Sequence, residues 1–210
     1  MKIAILGAGN VGGTLGTAWA ARDHDVVFGV REPGAAKVKA LVQQAGPRTS
    51  AAAVKEAVAA AEVVVLATPW SAAEAAVRAA GDWRGKILVD ATNPLTEDVS
   101  GLAVGHTTSG GEEVAGWAAG ARVVKAFNTI GAVHMAQPTF RTERASMFLC
   151  GDDAAAKGTV SGLARELGFD PVDAGALAQA RLLEPLAMLW ISMALVHGHG
   201  PNIAFKLLRK

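Results

Sequence analysis

Strands that alternate with helices, most of them continuous apolar runs, and a glycine turn placed straight after the first strand together predict an α/β fold. The architecture expected is a Rossmann-type, doubly wound and mainly parallel sheet with a small C-terminal helical extension. The 210 residues divide, on this expectation, into an NAD(P)-binding unit over 1–175 and a helical segment over 176–210 that belongs to the same domain.

Met1 to Leu6 is an apolar strand, followed at once by Gly7-Ala8-Gly9-Asn10-Val11-Gly12. A helix-length stretch runs from Val11 to about Ala21, and Asp25 to Val30 is a second strand. This is a dinucleotide fingerprint in its proper context. Gly7 allows the tight turn, Gly9 lets the backbone approach a pyrophosphate, and Gly12 lets helix and strand pack closely. Asn10 and Val11 open the helix, whose unpaired N–H groups and dipole favour an anion.

Val30 and Arg31 stand where an NAD enzyme usually places an acid for the ribose 2′-hydroxyl, so NADP(H) is the nucleotide expected. A guanidinium holds a 2′-phosphate by charge-assisted, bidentate hydrogen bonds, and Lys37 offers a weaker second cation. Glu32 is the competing feature, since its carboxylate suits a ribose diol.

Residues 34–45 are expected as a helix closed by Gly46-Pro47, and Ser50 as the cap of an alanine-rich helix to about Ala60. Glu62 to Ala67 is a β-branched run suited to a parallel strand buried on both faces. Thr68-Pro69-Trp70 ends it, Ser71 is expected to cap the next helix, and Gly81 to stop it. Lys86 to Asp90 is a strand ending in Ala91-Thr92-Asn93-Pro94. Gly110 to Ala119 reads as a helix and Arg122 to Phe127 as a strand ending in Asn128-Thr129. Ala145 to Cys150 is a further strand, Gly151-Asp152-Asp153 leads into a helix to about Leu167, and Phe169 to Val172 is a short strand. From Leu177 onward the chain reads as helical and apolar. Four strands thus end in G-A-G-N, T-P-W, T-N-P and F-N-T. Ligands of such sheets bind outside the carboxyl ends of the strands, which makes Thr68, Pro69, Trp70, Asn93 and Asn128 lining residues of a cofactor trench.

A net charge of +1 without a basic run excludes an electrostatic footprint for nucleic acid. The single cysteine, Cys150, permits no intramolecular disulfide and suits a reducing cytoplasm. The apolar N-terminal run is shorter than a signal peptide's core, and Leu186 to Val196 falls short of the roughly 20 residues of a membrane span, so a soluble, cytoplasmic protein is expected. The chain has no tyrosine, which excludes the short-chain dehydrogenases and their tyrosine acid. His197-Gly198-His199-Gly200 lacks a carboxylate or thiolate partner, so no metal is expected. Lys125, inside a strand, is either paired or at the sheet rim. His134 reads as a surface residue. No side chain is assigned as acid or base.

Met1 to Gly12, Thr68-Pro69-Trp70, Val123-Val124-Lys125-Ala126-Phe127-Asn128-Thr129, Cys150-Gly151-Asp152-Asp153 and Asp173-Ala174-Gly175 through Arg181-Leu182-Leu183-Glu184 resemble the NADP-dependent oxidoreductases of the deazaflavin coenzyme F-420. The reductase domains of the STEAP ferric reductases share V-V-K-A-F-N-T and C-G-x-D almost as closely. The resemblance implies hydride transfer between NADPH and a small-molecule acceptor, the deazaflavin or FMN or FAD. It maps phosphate contacts onto Arg31, with Val30 replacing a Ser or Thr, and the loop for the nicotinamide carboxamide onto Asn128, Thr129, Ile130 and Ala132. Asn128 stands where the deazaflavin enzymes usually have His, a departure shared with the ferric-reductase branch. The alternatives are a flavin or ferric reductase, a small carbonyl or imine reductase, and a non-catalytic NADP-binding sensor.

Leu182 to Val196 is interrupted only by Glu184, Pro185 and Ser192. A helix starting near Pro185 would be apolar almost all round, and its methionines and Trp190 are residue types enriched at interfaces. A homodimer through the C-terminal helices is therefore expected, as the resemblance also implies.

Overall fold

The computed structural model describes residues 1–210. In chain order its elements are β1 (Lys2–Leu6), α1 (Asn10–Ala20), β2 (Asp25–Gly29), α2 (Ala36–Ala45), β3 (Thr49–Ala52), α3 (Val54–Ala60), β4 (Val63–Leu66), α4 (Trp70–Ala80), β5 (Ile87–Asp90), α5 (Gly110–Trp117) and β6 (Arg122–Lys125). A small hairpin of β7 (Thr139–Phe140) and β8 (Glu143–Arg144) precedes β9 (Ser146–Gly151), α6 (Ala154–Leu167), β10 (Asp170–Asp173) and α7 (Ala180–Ile191). The main sheet has the order β10-β9-β6-β5-β4-β1-β2-β3. All its pairings are parallel except that of β6 with β9. The Rossmann-type α/β fold expected from the sequence is the one observed.

Both faces of the sheet are covered, which is why its central strands read as unbroken apolar runs rather than alternating ones. Ile3, Ile5, Val63 and Val65 point into one core with Leu15 and Trp19 of α1 and Val160 and Leu163 of α6. Ala4, Leu6, Val64 and Leu66 point into the other with Val58 of α3, Val77 of α4 and Val114 of α5. Trp19 closes its polar requirement by donating to the Leu163 carbonyl at 3.2 Å.

Several local expectations fail. Ser50 does not cap a helix, because Thr49–Ala52 is β3, paired in parallel with Val26–Gly29 of β2, and α3 begins only at Val54. Ladder pairing overrides the weak helical preference of that alanine-rich stretch. Ser71 lies inside α4, which starts at Trp70 directly after Pro69. Pro185 sits within α7 rather than at its start.

The C-terminal stretch also departs from a plain helix. After α7 the chain forms one π-type turn, Ser192–Val196, and then runs on without helix. Ser146 of β9 donates its N–H to the Phe205 carbonyl at 3.0 Å and accepts from Leu207 N–H through its hydroxyl at 3.0 Å. Leu177–Val196, 20 residues containing an 18-residue window of mean hydropathy 1.2, is by length and composition long and apolar enough to cross a membrane, whereas Leu186 to Val196 alone is too short. It nevertheless packs on the domain. Glu184 within it is fully buried, and Ala180 and Leu183 join Cys150 in a small cluster. Trp190 is buried too, with its ring against Gly131 and its Nε1 donating to the Ile203 carbonyl at 2.8 Å. It therefore belongs to the chain's own packing and not to the exposed face that Leu182, Leu189, Leu195 and Val196 present.

Candidate functional site

The strand order reverses between β1 and β4, and the chain leaves both strands at one edge of the sheet. Gly7, at φ +112°, is pressed against the β4 exit: an added Cβ would stand 2.6 Å from the Ala67 carbonyl oxygen. A Cβ on Gly12 would run into the Gly7 carbonyl and the Ile5 side chain. Gly9 is different, because a Cβ there would meet no atom within 4 Å. Gly9 is also the N-cap of α1, and no side chain caps that helix. Uncapped N–H groups facing open space suit the oxygens of a pyrophosphate.

Two cavities flank this point. One, of about 500 Å³, is lined by Gly7, Val30, Arg31 and Glu32 on one side and by Ala72, Ala75, Ala76 and Ala79 of α4 on the other. The second, of about 640 Å³, is lined by Val11, Trp70, Thr92, Asn93 and Thr96, among others. Thr68 and Pro69 line both, so the two form one trench divided by the T-P pair. The Thr68 hydroxyl is buried there with no hydrogen-bond partner. A hydroxyl so placed is free to bond a ligand or a water in the trench. Arg31 is exposed at the mouth of the first cavity and is not among the ion-paired arginines Arg48, Arg78, Arg84 and Arg181. The residues present thus fit a 2′-phosphorylated dinucleotide.

Not every expected residue lies in the trench. Lys37 is exposed on α2 and lines neither cavity. Gly9 and Asn10 open onto a separate cavity of about 560 Å³ shared with Thr14 and Gln44. Asn128, Thr129 and Ile130 are buried, Ala132 is half-buried, and none of them lines either trench cavity. Asn128 reaches the trench through Asn93. Asn93 Nδ2 donates to the Asn128 carbonyl at 3.0 Å, and Asn128 Nδ2 donates to Asn93 Oδ1 and to the Leu183 carbonyl, both at 3.1 Å. The Asn128 Oδ1 is left buried without a partner. Phe127, just before it, is held at φ +65° with its N–H on the Met147 sulfur at 3.1 Å.

Two groups of residues were not assembled from the sequence, although Lys125 was expected to be either paired or at the sheet rim and is paired. The alanines at 72, 75, 76 and 79 follow a helical spacing on α4, a face of small residues that leaves room for a flat ring. The other group is ionic. Lys125 Nζ lies 2.8 Å from Asp90 Oδ2 and 2.8 Å from Glu184 Oε1, with all three side chains buried. Asp90 Oδ1 accepts from Thr92 N–H at 2.9 Å and from its hydroxyl at 2.7 Å. Glu184 accepts the N–H groups of Gly110 and Gly111 at 2.9 Å, so it serves the N-terminus of α5. Burial lowers the Lys125 pKa, but the two carboxylates outweigh it and the net shift is upward. A lysine inside a strand and a glutamate inside an apolar stretch were the available signals, since each needs a partner when buried.

Cys150 is fully enclosed beside this cluster, and burial pushes its thiol up to about 12. The native protein should therefore resist thiol reagents at pH 8 and consume one equivalent only when unfolded. Rapid labelling of the folded chain would show that this region opens.

The family model described as NADP oxidoreductase, coenzyme F420-dependent, matches residues 2–94. The F420-dependent NADP reductase of Methanothermobacter marburgensis is 30% identical over 207 residues, covering 92% of this chain and 92% of that protein. Metalloreductase STEAP3 of Rattus norvegicus is 36% identical over 193 residues, which are 90% of this chain but only 37% of the metalloreductase. A solved structure from Arthrobacter sp. fb24, described as that of an F420-dependent NADP-reductase, superposes with a TM-score of 0.91 at 37% identity over 100% of both chains.

Proposed function

Since the chain belongs to the coenzyme F420-dependent NADP oxidoreductase family, and is an NADP-dependent oxidoreductase on that ground, we propose that its acceptor is a deazaflavin or a flavin-like ring bound at the Asn93 end of the trench. The observation that carries this is the continuity of the two cavities across Thr68-Pro69, with Arg31 at one end and Thr92-Asn93 at the other. What the nucleotide supplies when bound is a hydride. The chain's own part is to orient and to keep water out. Arg31 holds the 2′-phosphate, the α1 N-terminus and Gly9 receive the pyrophosphate, Thr68 bonds the sugar–phosphate segment, and Trp70 walls the cavity where an acceptor ring stacks. No side chain in the trench is required to move a proton.

The deciding experiment is stopped-flow oxidation of NADPH against deazaflavin, FMN, FAD, ferric chelates and small carbonyls. Fastest turnover with the deazaflavin supports the proposal. Fastest turnover with FMN, FAD or a ferric chelate would favour the second reading, a flavin or ferric reductase, which draws on Asn128 and on the identity to the metalloreductase. Arg31→Ala should weaken NADPH by roughly 1.5–3 kcal/mol, as for other hydrogen bonds to a charged group, and leave NADH unchanged. Equal loss for both nucleotides in a binding titration would reduce Arg31 to a structural role.

The homodimer belongs to the same proposal. Leu182, Leu189, Leu195 and Val196 are each at least half exposed along α7 and the turn after it, a face that a second copy would cover. Leu189→Glu should dissociate the dimer in sedimentation with NADPH binding preserved. A monomer of the unaltered protein at micromolar concentration would overturn it.

A further inference from the structure

Lys125, Asp90 and Glu184 are fully buried, and nothing in the reaction proposed above uses them. A buried ion pair is weak support for stability, because desolvating the charges offsets most of their attraction and apolar replacements often serve as well. What distinguishes this cluster is the set of segments it joins. Asp90 ends β5, Lys125 ends β6, Glu184 sits in α7, and Gly110 and Gly111 open α5. Each of the first three connects to Thr92 or to Asn128, the partner of Asn93. Asp90 holds both the N–H and the hydroxyl of Thr92, which lines the cavity beside Asn93. Lys125 lies three residues before Asn128. Glu184 follows Leu183, whose carbonyl accepts from Asn128 Nδ2 at 3.1 Å.

We propose that Lys125, bridging Asp90 and Glu184, is a positioning residue that locks the Thr92-Asn93 and Asn128 loops to α7, and so fixes where the nicotinamide half of the nucleotide lies. The proposal rests on the NADPH reading above. The β5 and β6 exits are already joined by their ladder, with Asp90 opposite Lys125, so the ammonium, the only donor shared by the two carboxylates, adds the tie from that pair of exits to α7. The Asn93–Asn128 pair then receives its geometry from both sides at once. Pro185, one residue beyond Glu184, lines a further cavity of about 780 Å³ together with Leu102, Ala103 and His106, and Ala103 lines the trench as well. The same lock therefore sets the wall of the neighbouring cavity relative to the nicotinamide end. The adenosine end, lined by Arg31 and by Ala72, Ala75, Ala76 and Ala79 of α4, includes none of the cluster's residues.

That separation makes a clean test. Glu184→Gln keeps shape and removes one charge. Adenosine 2′,5′-bisphosphate probes the Arg31 end alone, and NADPH probes both ends, each by calorimetric titration of the folded protein. The variant should bind the bisphosphate within about twofold of the parent and NADPH about tenfold more weakly. Single-turnover oxidation of NADPH by the fastest acceptor of the panel above should slow by as much as about a hundredfold, the scale of a misplacement near 1 Å. Asp90→Asn, at a buried side chain that lines neither trench cavity, weakens the same bridge from the β5 side and should show the same pattern, which keeps the question open to refutation if Glu184→Gln does not fold. A lower melting temperature with both ligands bound as by the parent would overturn the positioning role and leave the cluster purely structural. Equal weakening of both ligands would also overturn it. If the unaltered protein binds neither ligand, the NADPH reading itself falls, and this proposal with it.

Discussion

Gly9→Val should fold as the parent chain does and bind NADPH more weakly by about a hundredfold or more, roughly 2.7 kcal/mol. The fold is spared because a Cβ at this position meets no atom within 4 Å and the residue's φ of −85° is open to any side chain. Binding is lost because Gly9 is the N-cap of α1, where a pyrophosphate must approach the backbone closely. Gly12→Val provides the contrast. Its side chain would strike the Gly7 carbonyl and Ile5, so it should fail to fold rather than fold without binding. Thermal melting and NADPH titration of the two variants separate the cases. Unimpaired titration by Gly9→Val would falsify the nucleotide site.

Lys125→Ala should cost about 3–5 kcal/mol of stability, the penalty for leaving a buried charge without its partner. For a domain near this size that lowers the melting temperature by roughly 6–20 °C. Two carboxylates would be left facing an empty space, with the Thr92 and α5 N–H groups as their remaining donors. Combining Lys125→Met with Asp90→Asn and Glu184→Gln should recover most of the loss, since no charge is then desolvated. The ammonium's pKa is raised, so the pair's contribution is fully present below the ordinary lysine range near 10.4 and fades only as pH climbs through the raised value. A loss below about 1 kcal/mol in chemical denaturation would contradict the burial.

The parts legible in the sequence were those written in local patterns. Gly7, Gly9 and Gly12 sit in a fixed spacing after a strand, and β4 announces its two-sided burial as four β-branched or leucine residues. Strand-end signatures placed Thr68, Pro69 and Asn93 at the trench because the edge of a parallel sheet is where such ends converge. Features that depend on distant partners were not legible. Thr49–Ala52 becomes a strand only because β2 offers a free edge beside it. Glu184 looked like an interruption of an apolar helix, while its partners Lys125 and Gly110 lie far away in sequence. Trp190 looked like an interface residue for the same reason: nothing local says that Gly131 leaves a slot for its ring.

The chain's aromatic inventory gives the trench its own optical reporter. With no tyrosine, all ultraviolet emission excited near 280 nm comes from five tryptophans. Trp19, Trp83 and Trp190 are enclosed in the protein, whereas Trp70 lines the cavity and lies 5.2 Å from Trp117, centroid to centroid. A reduced nicotinamide absorbs where indole emits, so occupancy of the Trp70 end should register as quenched tryptophan light and sensitised emission from the ligand. A fragment confined to the Arg31 end should leave that signal nearly unchanged. The unlabelled protein can thus distinguish which half of its trench is filled, in real time and before any acceptor is added.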